Sequence, residues 1–173
     1  MIDQSWKRIA GIHVRDEGEI GAVWLAQEKD TDRIHLYDCC IFRAEVLAVI
    51  SEGLNCRGRW IPIAWEERSK DMADKLLERG CNMLYDSIKD TQAVTEVTSR
   101  DIWERLRTGR FKVDKRMVEW LDEYDSFYRE NSQVPMDNYP LMSATRHAIS
   151  QLRYARRQVQ IRKGPSFPEI AVI

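Results

Sequence analysis

No apolar run in the sequence approaches the roughly 18 residues that a membrane-spanning helix needs. Its N-terminus also lacks the basic-then-apolar order of a secretory leader. Membrane insertion and export are therefore not expected, and a cytoplasmic location is. Repeats and low-complexity tracts are missing, as is any linker rich in the 8 glycines or 5 prolines. One domain is expected over residues 1–163, followed by an extended tail at 164–173 that carries Pro165 and Pro168. The 4 cysteines, Cys39, Cys40, Cys56 and Cys81, form no CxxC pair and have no histidine at metal-ligand spacing. That excludes a legible disulfide or zinc framework and leaves buried, reduced thiols. The phosphate-cradling string GxxxxGK[ST] is absent, so these residues contain no ATP-driven motor of that type.

What is present is a globular composition: 43% hydrophobic residues supply a core, and 32% charged residues supply a wetted surface. A net charge of -1 hides an uneven distribution. Arg146, Arg153, Arg156, Arg157, Arg162 and Lys163 cluster near the C-terminus, where Glu169 is the only acid after residue 138. An excess of arginine over lysine suits phosphate, because a guanidinium presents a planar fork of donors. A solvated helix face is the alternative reading of the same run.

Hydrophobic periodicity gives the order of elements. Residues 8–14 and 20–27 are near-continuously apolar, as in strands covered on both faces, and 33–42 is a third strand. A helical stripe follows at 44–55, then a strand at 60–65, a helix at 70–79 capped by Ser69, and a strand at 81–85. Helices are expected at 94–106 and 116–128, with a short extended piece at 111–113 between them and a loop at 130–139. Leu141, Thr145, Ala148, Ile149, Leu152 and Ala155 recur at helical spacing, which predicts an amphipathic last helix with Arg146, Arg153 and Arg157 on one side. The fold class is therefore α/β, with a mixed sheet made of an antiparallel meander plus parallel strands and flanked by helices.

Several strings in this order resemble one family. They are RIAGIHVRDEGEIGAVWLA (8–26), IHLYD (34–38), WIPIAW (60–65), ERGCNML (78–84), LRTGRFKV (106–113) and LMSATRHAISQLRYAR (141–156). Together they are similar to the C-terminal nuclease domain of tailed-phage terminase large subunits, the motors that package and cut phage DNA. The resemblance implies an RNase H-like fold, duplex DNA and other phage packaging proteins as partners, and a phage or prophage origin. It also implies an endonuclease site in which two divalent cations, Mg²⁺ or Mn²⁺, are held by carboxylates. Such a site clamps the attacking and leaving oxygens between ions about 3.5–4 Å apart, and hard cations of this kind want oxygen ligands.

The sequence departs from that pattern at each expected acid. His13 stands at the first-strand position, Arg68 at the position after the strand that ends in Trp65, and Tyr139 and Pro140 before the last helix. Two expectations follow. In the first, the domain is a pseudo-nuclease with no catalytic residues and no metal. In the second, Asp16 or Glu17, Glu66 or Glu67, and Asp137 rebuild a metal site around His13, and the protein is a Mg²⁺- or Mn²⁺-dependent endonuclease. A register shift of one residue reverses a side chain's face on a strand, which argues against the second. Candidate DNA-binding residues are Arg146, Arg153, Arg156 and Arg157, with Arg110 and Lys112 either on a DNA-facing turn or in an ordinary hairpin. His147 is expected as a packed or partly exposed aromatic replacement. Trp60, Trp65, Trp103 and Trp120 are expected in the core rather than as a base-stacking platform.

Overall fold

A computed structural model describes residues 2–43, 46–89, 91–127, 134–135 and 138–159. The three apolar segments form strands β1 (Lys7–Val14), β2 (Ile20–Gln27) and β3 (Ile34–Phe42), joined as an antiparallel meander. Helix α1 (Leu47–Asn55) then leads to β4 (Ile63–Ala64), which pairs in parallel with β1. Helices α2 (Lys70–Glu78) and α3 (Gln92–Arg107) precede β5 (Phe111–Val113), which pairs in parallel with β3. The chain continues through α4 (Val118–Ser126) and α5 (Pro140–Ser150). The sheet order is β4-β1-β2-β3-β5, the mixed sheet expected from the sequence.

β2 is buried from Ile20 to Ala26 and β1 from Ile9 to His13, in keeping with their near-continuous apolar runs. The helix covering them is α5, whose residues from Pro140 to Ile149 are all buried. Its backbone comes close enough that two sheet positions must lack a side chain. A Cβ on Gly11 would overlap the carbonyl oxygen of Ala144, and one on Gly21 would lie 2.6 Å from the carbonyl group of Pro140. Gly21 is also the cross-strand neighbour of His13. The first residue of the last helix therefore rests beside the end of the first strand.

The strands expected at 60–65 and 81–85 and the last helix are shorter than their patterns suggest, whereas β5 spans the expected 111–113. The expected strand at 60–65 pairs with β1 only at Ile63 and Ala64, since Pro62 has no N–H to give the ladder. The expected strand at 81–85 is reduced to one parallel bridge between Ile63 and Met83. The last helix stops at Ser150 instead of running to Ala155, and a 3-10 turn at Leu152–Tyr154 follows. The backbone of Arg8 needs a partner beyond the end of β4. Arg156 supplies it, accepting from Arg8 N at 2.7 Å and donating to Arg8 O at 3.0 Å. Residues 44–45, the loop around 130–133 and the tail at 164–173 lie outside the described residues. Trp65 and Trp120 are buried as expected, whereas Trp103 is 56% exposed on α3.

A methyl group at position 11 tests the close approach of α5. Gly11→Ala is expected to lower unfolding free energy by about 1–3 kcal/mol, the usual cost of overpacking, and to reduce the thermal midpoint accordingly. Urea titration followed by tryptophan fluorescence checks this, with Gly80→Ala as the comparison because open space surrounds that position and its cost is confined to backbone strain.

Candidate functional site

His13 is fully buried one residue before the end of β1. Glu66, 1% exposed, leaves β4 two residues after Ala64. A parallel bridge to Ile88 holds it there, with Glu67 N donating to Ile88 O at 2.8 Å. His13 Nδ1 lies 3.0 Å from Glu66 Oε1. Arg68, on the 3-10 turn at Glu67–Ser69, folds back so that its Nε is 2.8 Å from Glu66 Oε2 and its Nη2 is 3.3 Å from His13 Nε2. Ser69 does not cap α2 with its side chain; its hydroxyl donates to Glu66 Oε1 at 3.3 Å.

Hydrogen-bond polarity fixes the protonation of this ring. A guanidinium can only donate, so His13 Nε2 accepts from Arg68 and the imidazole proton sits on Nδ1, facing the carboxylate. Neutral His13, anionic Glu66 and cationic Arg68 then sum to zero charge. Burial pulls the His13 pKa below its ordinary value; the bond to Glu66 opposes this, and the charges of His147 and Arg68 assist it. Burial alone would raise the Glu66 carboxyl. The bond from His13, the electrostatic influence of the His147 and His13 rings and the bond from Arg68 outweigh it and hold the carboxyl below its usual range.

His147 completes the cluster from α5. Its Nδ1 donates to the carbonyl of Ile12 at 2.8 Å, because a carbonyl only accepts. Ile12 lies one residue beyond the last described pairing of β1 with β4, so its carbonyl is served by this imidazole. The same bond turns Nε2 toward Glu66 Oε2, 4.0 Å away, and the rings of His13 and His147 lie 5.6 Å apart.

One donor atom each from His13, Glu66 and His147 lies within 4.8 Å of the others. This set does not fit two hard cations. Two such ions need several carboxylates, whereas here a single carboxylate stands between two imidazoles and a guanidinium is bound to one of its oxygens. Two nitrogens and one oxygen are the donor set of a single borderline ion.

The other expected residues scatter. Pro140 is buried over Gly21 beside His13. Tyr139 turns away, donating its hydroxyl to Ser126 O at 2.8 Å and packing edge-on against Phe127. Asp16 and Glu17 are exposed in the turn between β1 and β2, and Glu67 is exposed. Asp137 lies outside the described residues. Arg146, expected on an exposed basic face, is 1% exposed and donates to Pro135 O and Ser143 Oγ. It is a core residue, because α5 is enclosed on every side instead of being half-wetted. Arg153, Arg156 and Arg157 are exposed, but they follow the end of α5 and share no helix face with Arg146. Arg110 pairs with Asp32 at 2.8 Å, and Lys112 is exposed on β5.

His147 is packed, as one of its expected alternatives had it, but its place in this cluster was not read from the sequence, and Glu123 was not read at all. His147 could have been suspected from the composition of α5, in which Arg146 is the only Lys, Arg, Asp or Glu; a helix apolar on all sides is buried, and so are its polar residues. Glu123 carried no local signal. From α4 it caps α5, its Oε2 accepting from Leu141 N at 2.9 Å and Met142 N at 3.0 Å. Burial pushes its carboxyl up to about 7 against these two bonds, with the charges of Glu19 and Glu119 adding to the rise.

The fold is that of phage terminase nucleases. The chain superposes on the P22 large terminase nuclease domain with a TM-score of 0.81 at 18% identity, covering 91% of this chain and 87% of that one. The g2p large terminase nuclease domain of bacteriophage SPP1, solved with bound Mn, gives 0.63 at 13% identity over 84% and 86% of the two chains. The large terminase nuclease of thermophilic phage G20c with bound cobalt gives 0.60 at 17% identity over 87% and 84%. These likenesses establish an RNase H-like architecture. No protein-family model and no curated protein sequence matches the chain.

Two pH dependences of opposite sign follow. The folded-state pKa of His13 is depressed, so its contribution is fully present above the unfolded value of 6.5 and is lost as pH falls below it. His13→Gln, which keeps a donor and an acceptor, is expected to flatten the loss of stability between pH 6.5 and 5 in urea titrations. The folded-state pKa of Glu123 is raised to about 7, so its contribution is full below 4.5 and is lost as pH rises through 7. Glu123→Gln, whose amide oxygen can accept both α5 N–H groups, is expected to remove that alkaline decline.

Proposed function

We propose that this is a terminase nuclease-like domain that acts in phage DNA packaging by binding DNA or packaging partners and no longer cuts. The observation that carries the reading is the closed cluster of His13, Glu66 and Arg68. It lies at the positions where the resemblance places metal-binding acids on the first strand and after Trp65. Arg68 supplies there the positive charge that a metal supplies in a nuclease, but it carries no water to activate and no open coordination position. The Mn and cobalt named in the SPP1 and G20c structures belong to those proteins.

A second reading retains hydrolysis. The three donors of His13, Glu66 and His147 favour it, since they could take one ion if Arg68 swung aside; its side chain is 41% exposed and has room to move.

Supercoiled plasmid incubated with the protein and Mg²⁺ or Mn²⁺ separates the two. No metal-dependent nicking above a buffer control is the expected result, with Mn²⁺ titration of the protein leaving the free-ion spin-resonance signal unchanged. Nicking that is lost in Glu66→Ala would establish the second reading.

A further inference from the structure

We propose that an open concavity of about 580 Å³, lined among others by Arg59, Trp60, Asn82, Arg156 and Arg157, grips the phosphate backbone of duplex DNA. It lies at the opposite end of β1 from the His13 cluster. Arg156 is pinned to Arg8 by two backbone hydrogen bonds, and five residues of extended strand, about 16 Å, separate Arg8 from His13.

The walls are fixed and the charges are unspent. The guanidinium of Arg8 sits between two rings, 5.5 Å from the centre of Tyr37 and 5.6 Å from that of Trp60. The carbonyl of Trp60 accepts from Asn82 Nδ2 at 2.9 Å. The backbone bonds of Arg156 fix the chain on which Arg157 follows. Among the described residues, no acidic side chain lines the concavity. Nor, among them, does any carboxylate lie within ion-pairing distance of Arg59, Arg156 or Arg157, although Arg15, Arg57, Arg105, Arg107, Arg110 and Arg116 each have a carboxylate partner. In a chain whose net charge is -1, three unpaired guanidiniums around one hollow form a local positive field.

The hollow is open and wider than one phosphate, so it suits a polyanion better than a small phosphate ester. Guanidinium forks match phosphate oxygens in pairs. The choice of DNA as the polyanion rests on the packaging-nuclease reading above. The site itself needs neither metal nor cleavage, and nothing in it distinguishes bases, so binding should be insensitive to sequence.

Fluorescence anisotropy with a labelled 30-base-pair duplex tests this. Three proteins are compared between 50 and 200 mM salt: wild type, the triple variant Arg59→Gln/Arg156→Gln/Arg157→Gln, and Arg110→Gln/Lys112→Gln. All substitutions in the triple variant are at exposed side chains, and matched thermal midpoints establish that it folds. The expected result is at least a tenfold loss of affinity in the triple variant and a salt slope shallower by about 2–3, at roughly 0.9 for each phosphate no longer neutralised. The Arg110/Lys112 variant should bind like wild type. Equal weakening of both variants would reduce the effect to overall charge and overturn the site, as would an unchanged triple variant. A wild type that fails to bind duplex at 50 mM salt also overturns it, while the nicking assay decides separately whether the protein cuts.

Discussion

The backbone of α5 lies directly on β1 and β2, and the arrangement of the site depends on that contact. It exists because Gly11 and Gly21 present no Cβ where Ala144 and Pro140 approach. The approach brings His147 to the carbonyl of Ile12. It also brings Thr145 under Trp120, whose indole N–H donates to its hydroxyl at 2.9 Å while that hydroxyl donates to Leu141 O at 2.7 Å. A helix buried this deeply must have its end groups satisfied from inside the protein. Pro140 has no N–H to satisfy, and Glu123 accepts from the next two residues.

The cluster around Glu66 has a different energetic character. A buried carboxylate without a partner costs several kcal/mol, and a paired one recovers that cost only when its geometry is good. Glu66 has an imidazole nitrogen 3.0 Å from one oxygen, a guanidinium nitrogen 2.8 Å from the other and a hydroxyl in support. A phosphate-cutting site instead concentrates like charges that repel until cations arrive. Here the one carboxylate is balanced by a guanidinium of the same chain. The arginine concavity at the other end of β1 is separate from this balance, since none of its guanidiniums is drawn on to neutralise Glu66.

Much of the architecture was legible because period and burial are local properties. The apolar runs in β1 and β2 announced strands covered on both faces, and the meander followed by parallel pairing came from the order of elements. Lengths were less legible where pairing was set by distant chain. β4 shrank to two residues after Pro62, and α5 stops at Ser150, beyond which Arg156 bridges to Arg8. Arg146 misled for a related reason. Its spacing placed it beside Arg153 and Arg157, but α5 is enclosed all round and ends before either of them.

The sequence by itself determined that His13 stands in the first apolar segment, that Arg68 follows Glu66 and Glu67, and that no acid stands at residues 139–140. Only the tertiary structure decided which of those acids turns inward. His13 and Arg68 are 55 residues apart in the chain, and His147 reaches Ile12 across 135. Chain spacing encodes a side chain's face on its own strand or helix. It does not encode which distant side chain meets it, because that is fixed when strand pairing and helix docking close the long loops between them.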